Sequence, residues 1–558
     1  TIDDPASFPA FLNPAPADRQ LYTFLVDQVA QSVIRADADR APAVAGWARV
    51  HLTGLTQNRS IEAHLADHGI TGLSYGQGTP AMDPDGPNHT IDPDVDVLRV
   101  DKVRRGRRIP IGAWSNFADH GTVVHAELQA YSGDHHAAAW RMFVAKVRKA
   151  AHVPARQTVV NVYPNSDEGD QTAGIVHVGP AAAELVGDTE AGAMFRAWKR
   201  AGHHLSARPA LSTRWTRACF CGQDTATGPV DTGGKEGAGF LTGSEEGRGP
   251  LFDITGVPLE GQKNPIVDPI QGDKFVIPAG NPPPAVPLSI TRVGNRAIAA
   301  VPGEATKEVG VGIKAAVLQA MRSVGVKAVV IAGLANEYVQ YITTPAEYGE
   351  QSYEGASTLY GVNEATFIEE QLGALATDLA AGRPAPDAYA LDTGYGVDPD
   401  GPAYPAGASA ASAITQPAAS YARLEQATAS WTGGALGNDR PVDRAFITAQ
   451  RRVGKRWVGY ADDLGLEFLW RSDADGHYSV RWEIPYSAPT GTYRLRVTAK
   501  QYAFNTTPFR VVPTTKLTVD GGRLKYPPAI VNEDLTARPV YAKGTTRDRY
   551  GNTASGTG

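Results

Sequence analysis

Between Gly382 and Ser420 the sequence runs "GRPAPDAYALDTGYGVDPDGPAYPAGASAASA", rich in Pro, Gly, Ala and Ser and without helical or strand periodicity. Such a stretch has no apolar face to bury and reads as a linker, so it sets a domain boundary. Size requires one as well, because single cores stop growing at roughly 250–300 residues and the chain has 558. The expected division is a large domain over 1–381, a linker over 382–417, a smaller domain over 418–513, and a tail or partial further module over 514–558.

Ahead of the boundary, helix and strand patterns alternate. Leu21, Leu25, Val29 and Val33 recur at helical spacing and predict a helix with one apolar stripe, ending at "DADRAP". "DVDVLRVDKV" and "IPIGAWSNF" read as strands about the basic turn "RRGRR", followed by a helix near 137–149 and a strand in "QTVVNVY". "PLSITRVGNRAIAAVPGE" gives two strands about Gly294-Asn295. A helix carrying Val309, Ile313, Val317 and Met321 follows, then the strand "KAVVIAGL" and a helix in "EATFIEEQLGALATDLAAG". The alternation predicts an α/β domain with a mixed sheet covered by helices. Beyond the boundary Tyr478, Val480, Trp482 and Ile484 alternate, as do Tyr493, Leu495 and Val497 past an "APTG" turn, predicting a small β-sandwich.

With 42% apolar residues, 20% charged residues and a formal charge of -6, the chain has no basic surplus that would imply a nucleic-acid partner. Its longest apolar runs, such as "KAVVIAGLA", fall short of the ~20 residues of a membrane span. It opens on "TIDDPASF", with no initiator Met and no signal-like apolar segment, so its true start is expected upstream. Cys219 and Cys221 stand one residue apart in "ACFCGQ", too close for an easy disulfide and too few for a zinc knuckle.

No HExxH spacing occurs among the 13 histidines, so a metal site would have to be assembled from distant segments. In open α/β sheets, ligand sites gather beyond the carboxyl ends of strands, where His120, Glu304 and Tyr341 lie. Imidazole, carboxylate and phenolate suit a zinc ion that keeps an open position. By spacing alone, His120 reads equally as a hydrogen-bonded structural residue, Glu304 as a helix cap and Tyr341 as core. His135 and His136 in "SGDHH" could bind metal, but they sit at a helix start with Asp134 as its cap. The glycine-rich "DTGGKEGAGFLTGSEEGRGP" lacks GxxxxGK[ST] and so does not read as a phosphate loop.

The segments "NFADH", "NSDEGD", "VPGEATKEVG" and "NEYVQYITTPAEYGEQSYEGASTLYG" resemble, in order and separation, the signature segments of neutral (non-lysosomal) ceramidases, a likeness running from about Arg19 to Pro513. The resemblance implies an α/β zinc amidase domain followed by an immunoglobulin-like domain. It places zinc ligands at His120, Glu304 and Tyr341, and transition-state helpers at Arg59 in "QNRS" and Tyr353 in "EQSYEG". One zinc ion is implied, with a structural Ca2+ or Mg2+ as an addition. The family's first zinc ligand lies in an "HTHS"-type segment that residues 1–20 lack, and it is expected to have been cut off.

In the same resemblance "GDQTAG" stands where the family has "GDVSPN", so Thr172 occupies the serine position, and Gly121 stands where some relatives have proline. No adjacent histidine is evident to activate Thr172. It is therefore read as a substrate anchor, with metal-bound water as the nucleophile. The implied reaction is hydrolysis of ceramide (N-acylsphingosine) to a sphingoid base and a fatty acid, in a narrow apolar pocket with a few polar groups at its base. The alternatives are another N-acylated amphiphile as substrate, or an inactive lipid-binding or adhesive protein. The resemblance further implies a secreted or extracellular enzyme drawing substrate from a membrane surface, against a cytoplasmic form.

Overall fold

The computed structural model describes residues 19–125, 132–154, 157–249, 252, 259–277, 282–391, 407–441 and 444–515, with short strands beyond. Helix α1 (Arg19–Ala38) forms where the apolar spacing predicts. Its stripe, however, is exposed, with Val29 66% and Val33 65% accessible, because no described element packs on it.

A first four-stranded sheet comprises β1 (Ala43–His51) and, past the short β2 (Gln57–Asn58) and α2 (Ile61–Asp67), β3 (Asp94–Arg104), β4 (Arg107–Asn116) and β5 (Val160–Val162), in the order β1-β3-β4-β5. The hairpin β3/β4 pairs Arg104 with Arg107 across the basic turn, and β4/β5 is parallel. Helix α3 (Asp134–Ala150), preceding β5, and helix α4 (Pro180–Ala201), after the two-residue β6 (Gln171–Thr172), cover this sheet. Val95, Val97 and Phe117 meet Phe143, Val147 and Met194 in its core.

The second four-stranded sheet contains β7 (Leu211–Cys219), β8 (Ala285–Val293), β9 (Arg296–Ala300) and, beyond the two-residue β10 (Glu304–Ala305) and helix α5 (Lys307–Met321), β11 (Ala328–Ala332), in the order β11-β9-β8-β7. After β12 (Tyr341–Ile342), α6 (Pro345–Glu350) and α7 (Tyr353–Ala356), helix α8 (Glu364–Ala381) packs with α5 on this sheet. Val309, Ile313, Val317 and Met321 of α5 are all fully buried, as a 3.6-residue stripe facing a core requires. No described helix is long and apolar enough to cross a membrane.

The C-terminal part begins earlier than the composition suggests. Residues 412–415, read as linker, form strand β13 (Ser412–Thr415), because the hydrogen-bonding edge comes from its partner strand and not from local periodicity. Residues 392–406 of the expected linker lie outside the described residues. Strands β14 (Ser420–Ala422), β15 (Gln426–Thr432), β16 (Ile447–Val453), β17 (Arg456–Asp462), β18 (Phe468–Ser472), β19 (His477–Glu483), β20 (Gly491–Thr498), β21 (Ala503–Asn505) and β22 (Phe509–Val512) complete two sheets, β13-β15-β19-β18 and β14-β22-β20-β16-β17, with β21 beside β20. Tyr478, Val480 and Trp482 from one sheet and Tyr493, Leu495 and Val497 from the other share one core. Beyond 515, two short hairpins pair Val519 with Leu524 and Lys543 with Thr557.

Two local expectations are corrected. Cys219 and Cys221 form a disulfide, because the chain leaves β7 through Cys221 at φ +43° and so sets the Cα atoms 5.3 Å apart, inside the bridging range. Gly133, not Asp134, occupies the cap position of α3. Asp134 has φ +49°, and its carboxylate accepts instead from the backbone N–H groups of His135 and Val124.

Candidate metal and active site

Short strands bring the distant segments together. β10 and β12 pair in parallel, setting Glu304 opposite Tyr341. β2 pairs with β6, and His120 bridges to Thr172, which places the segment after β4 beside the "GDQTAG" loop. Gly169 makes this approach possible: a Cβ there would stand 2.6 Å from the Glu304 carbonyl oxygen. Gly169→Ala is therefore expected to push the loop off β10 and cost about 1–3 kcal/mol, measurable as a lower urea midpoint; an unchanged midpoint would contradict the close packing.

The backbone N–H of His120 donates to the Gln171 carbonyl at 3.0 Å, and its Nδ1 lies 3.1 Å from the same oxygen. A carbonyl can only accept, so Nδ1 is the donor in this contact and Nε2 is turned inward toward Glu304, the orientation of a metal-ligating histidine. Nε2 is 2.5 Å from Glu304 Oε2 and 3.4 Å from the Tyr341 hydroxyl. Imidazole nitrogen, carboxylate oxygen and phenol oxygen thus converge on one point and form a donor set that fits zinc. Burial alone would raise the Glu304 carboxyl, but His120, the hydrogen bond from Tyr338 and the Arg59 charge outweigh it and hold it at about 2. Tyr341 is pushed well above the ordinary phenol value by burial, against the pull of Arg59.

Arg59, with its side chain only 2% exposed, is fixed on every side. Nε donates to Glu354 at 2.7 Å, Nη1 to Glu246 at 2.7 Å, and Nη2 to the Gly169 carbonyl at 3.0 Å and the Tyr341 hydroxyl at 2.9 Å. Tyr353 sets its ring 5.2 Å from Tyr341 and 5.5 Å from the guanidinium. Burial pushes its hydroxyl up to about 12, so it remains a donor at neutral pH. All the expected residues except Thr172 meet here directly. The buried Thr172 hydroxyl exchanges a 2.8 Å hydrogen bond with Thr122 and accepts from Gly174 N–H; Thr122 in turn donates to Glu246.

Sequence reasoning missed Glu246, Glu354 and Tyr338, which hold the primary residues in place. Glu246 comes from the glycine-rich stretch, where no local pattern marks it, whereas Glu354 and Tyr338 flank chosen residues at one and three positions. Glu168 was missed as well. It is fully buried, neither carboxylate oxygen has a hydrogen-bond partner among the described residues, and burial followed by the nearby Glu304 charge raises its carboxyl well above the ordinary value.

For Glu246, burial again opposes ionisation, but Arg59 and His120 prevail and hold the carboxyl at about 2 instead of 4.5. Its contribution to stability, on the order of 3 kcal/mol, is complete above about pH 4.5 and lost as pH falls through about 2. Glu246→Gln should flatten the pH dependence of urea unfolding across that window, and an unaltered slope would contradict the pairing.

A cavity of about 440 Å³ opens onto Arg59 and Ser60. Leu73 and Tyr75 line it together with Glu62, Glu260, Glu350 and Lys263.

Comparison with known proteins bears on this site. Family models described as the N-terminal and C-terminal parts of neutral/alkaline non-lysosomal ceramidase match residues 15–188 with 203–369, and 369–512. A neutral ceramidase of Mycobacterium tuberculosis is 26% identical over 519 residues, covering 85% of this chain and 77% of that protein. The neutral ceramidase of Pseudomonas aeruginosa is 26% identical over 531 residues, covering 85% and 74%. A solved ceramidase complexed with C2 superposes with a TM-score of 0.69 at 21% identity, covering 88% of this chain and 81% of that one, and shares its fold. The chain is an enzyme belonging to the neutral/alkaline non-lysosomal ceramidase family.

Proposed function

We propose that this enzyme hydrolyses the amide bond of ceramide, with one zinc ion held by His120, Glu304 and Tyr341. The observation that carries this reading is the convergence of His120 Nε2, Glu304 Oε2 and the Tyr341 hydroxyl beside a buried arginine. When bound, zinc would supply a Lewis acid and lower the pKa of water to about 7. The chain's own residues do the rest. Amide cleavage builds negative charge on the carbonyl oxygen, and donors fixed in advance stabilise it without reorganising. Arg59, clamped by Glu246 and Glu354, and the protonated Tyr353 hydroxyl are such donors. Thr172, read as the substrate anchor, is linked to Arg59 through Thr122 and Glu246.

The C-terminal sandwich is read as immunoglobulin-like, the division of the chain as domains over 1–381 and 418–513, the location as secreted, and a membrane surface as the source of substrate. The altered "GDQTAG" loop, with Thr172 at the family's serine position, favours a second reading within the same chemistry, another N-acylated amphiphile as substrate. Incubating the zinc-loaded chain with N-acylsphingosine, N-acyl amino acids and lipoamino acids separates the two. Sphingoid base released fastest supports ceramide. Turnover confined to another class moves the substrate to the second reading, and no zinc-dependent hydrolysis at all contradicts both.

A further inference from the structure

The carbonyl of His120 leads to a second cluster of metal-ligating side chains. Asp119, His135 from the first turn of α3 and Glu190 from the middle of α4 are each fully buried. His135 Nε2 lies 2.8 Å from the His120 carbonyl oxygen. That oxygen only accepts, so Nε2–H is the donor in this contact. Nδ1 faces both oxygens of Glu190 at 3.1 Å. Asp119 Oδ1 accepts from Ala173 N–H, while Oδ2 stands 3.8 Å from His135 Nε2. Asp119 Oδ2 and Glu190 Oε1 have no hydrogen-bond partner among the described residues, and one ligand atom from each of the three side chains lies within 4.8 Å of the others. An imidazole and two carboxylates therefore converge in a fully buried cluster in which one oxygen of each carboxylate has no hydrogen-bond partner among the described residues. Leaving such acceptors unsatisfied costs about 1–3 kcal/mol each, and a cation between them removes the cost.

We propose that Asp119, His135 and Glu190 hold a divalent transition-metal ion of the zinc class, in a closed structural site separate from that of His120, Glu304 and Tyr341. Ligand atoms around tetrahedral zinc at about 2.0–2.1 Å stand about 3.3 Å apart, close to the spacing between His135 and Glu190. An imidazole in the set suits zinc better than calcium or magnesium. The ion would tie the segment before His120 to α3 and α4, and through the His135 contact would fix the backbone that carries His120.

The test uses the full chain with His120→Ala and Glu304→Gln, which disables the first site and keeps the second. The chain is loaded with Zn2+, freed of excess metal by gel filtration, and its zinc counted by mass spectrometry. The expected result is about one equivalent per chain, falling to background when Glu190→Gln or His135→Asn is added. A zinc-free double variant, as when protons alone fill the cluster, would overturn the proposal, as would zinc undiminished by either added substitution. If those additions unfold the chain, the zinc-edge X-ray absorption spectrum of the double variant decides. One imidazole among oxygen donors supports the site. A shell of several imidazoles, as at His64 and His68, overturns it.

Discussion

Glu304→Gln is expected to lower zinc-dependent amide hydrolysis by about 10³-fold, corresponding to the several kcal/mol that a correctly held metal contributes, while the chain stays folded. The substitution is nearly isosteric. The new amide oxygen can still accept from Tyr338, and the strand pairing of Glu304 with Tyr341 uses only backbone groups. What disappears is the anionic donor facing His120 Nε2. Rates at saturating zinc, compared with circular dichroism and thermal unfolding of the same samples, check the result; full activity would refute the role given to Glu304.

The second large effect concerns Arg59. Arg59→Met would leave Glu246 and Glu354 buried without their cation, and breaking a buried pair from one side costs about 3–5 kcal/mol. Adding Glu246→Gln and Glu354→Gln removes the uncompensated charges and should recover most of that stability. Activity should not return, because the donor to the developing oxyanion is still missing. Urea unfolding and turnover measured across the single and triple variants separate the two roles. If the triple variant regains activity together with stability, Arg59 is a structural residue only.

Much of this arrangement was legible in the sequence. The alternation around Gly294-Asn295 and the stripe from Val309 to Met321 each satisfy one period over enough residues to identify an element, and the strand-end rule then directed attention to His120, Glu304 and Tyr341. What escaped is set by tertiary packing. The stripe of α1 has the right period but no described partner. Strand β13 exists because β15 offers it an edge. Glu246 acquires its role only when the glycine-rich stretch folds over Arg59, 187 positions away in sequence. His135 looked like a helix-start residue, and the partners that make it unusual come from Asp119 and from α4.

Anomalous diffraction at the zinc edge from crystals of the zinc-loaded chain tests whether His120, Glu304 and Tyr341 form a zinc site. The expected result is a peak bonded to His120 Nε2, Glu304 Oε2 and the Tyr341 phenol oxygen, and lost in the Glu304→Gln chain. A map of the zinc-loaded chain with no peak at those atoms, or one that persists unchanged after the substitution, would contradict it.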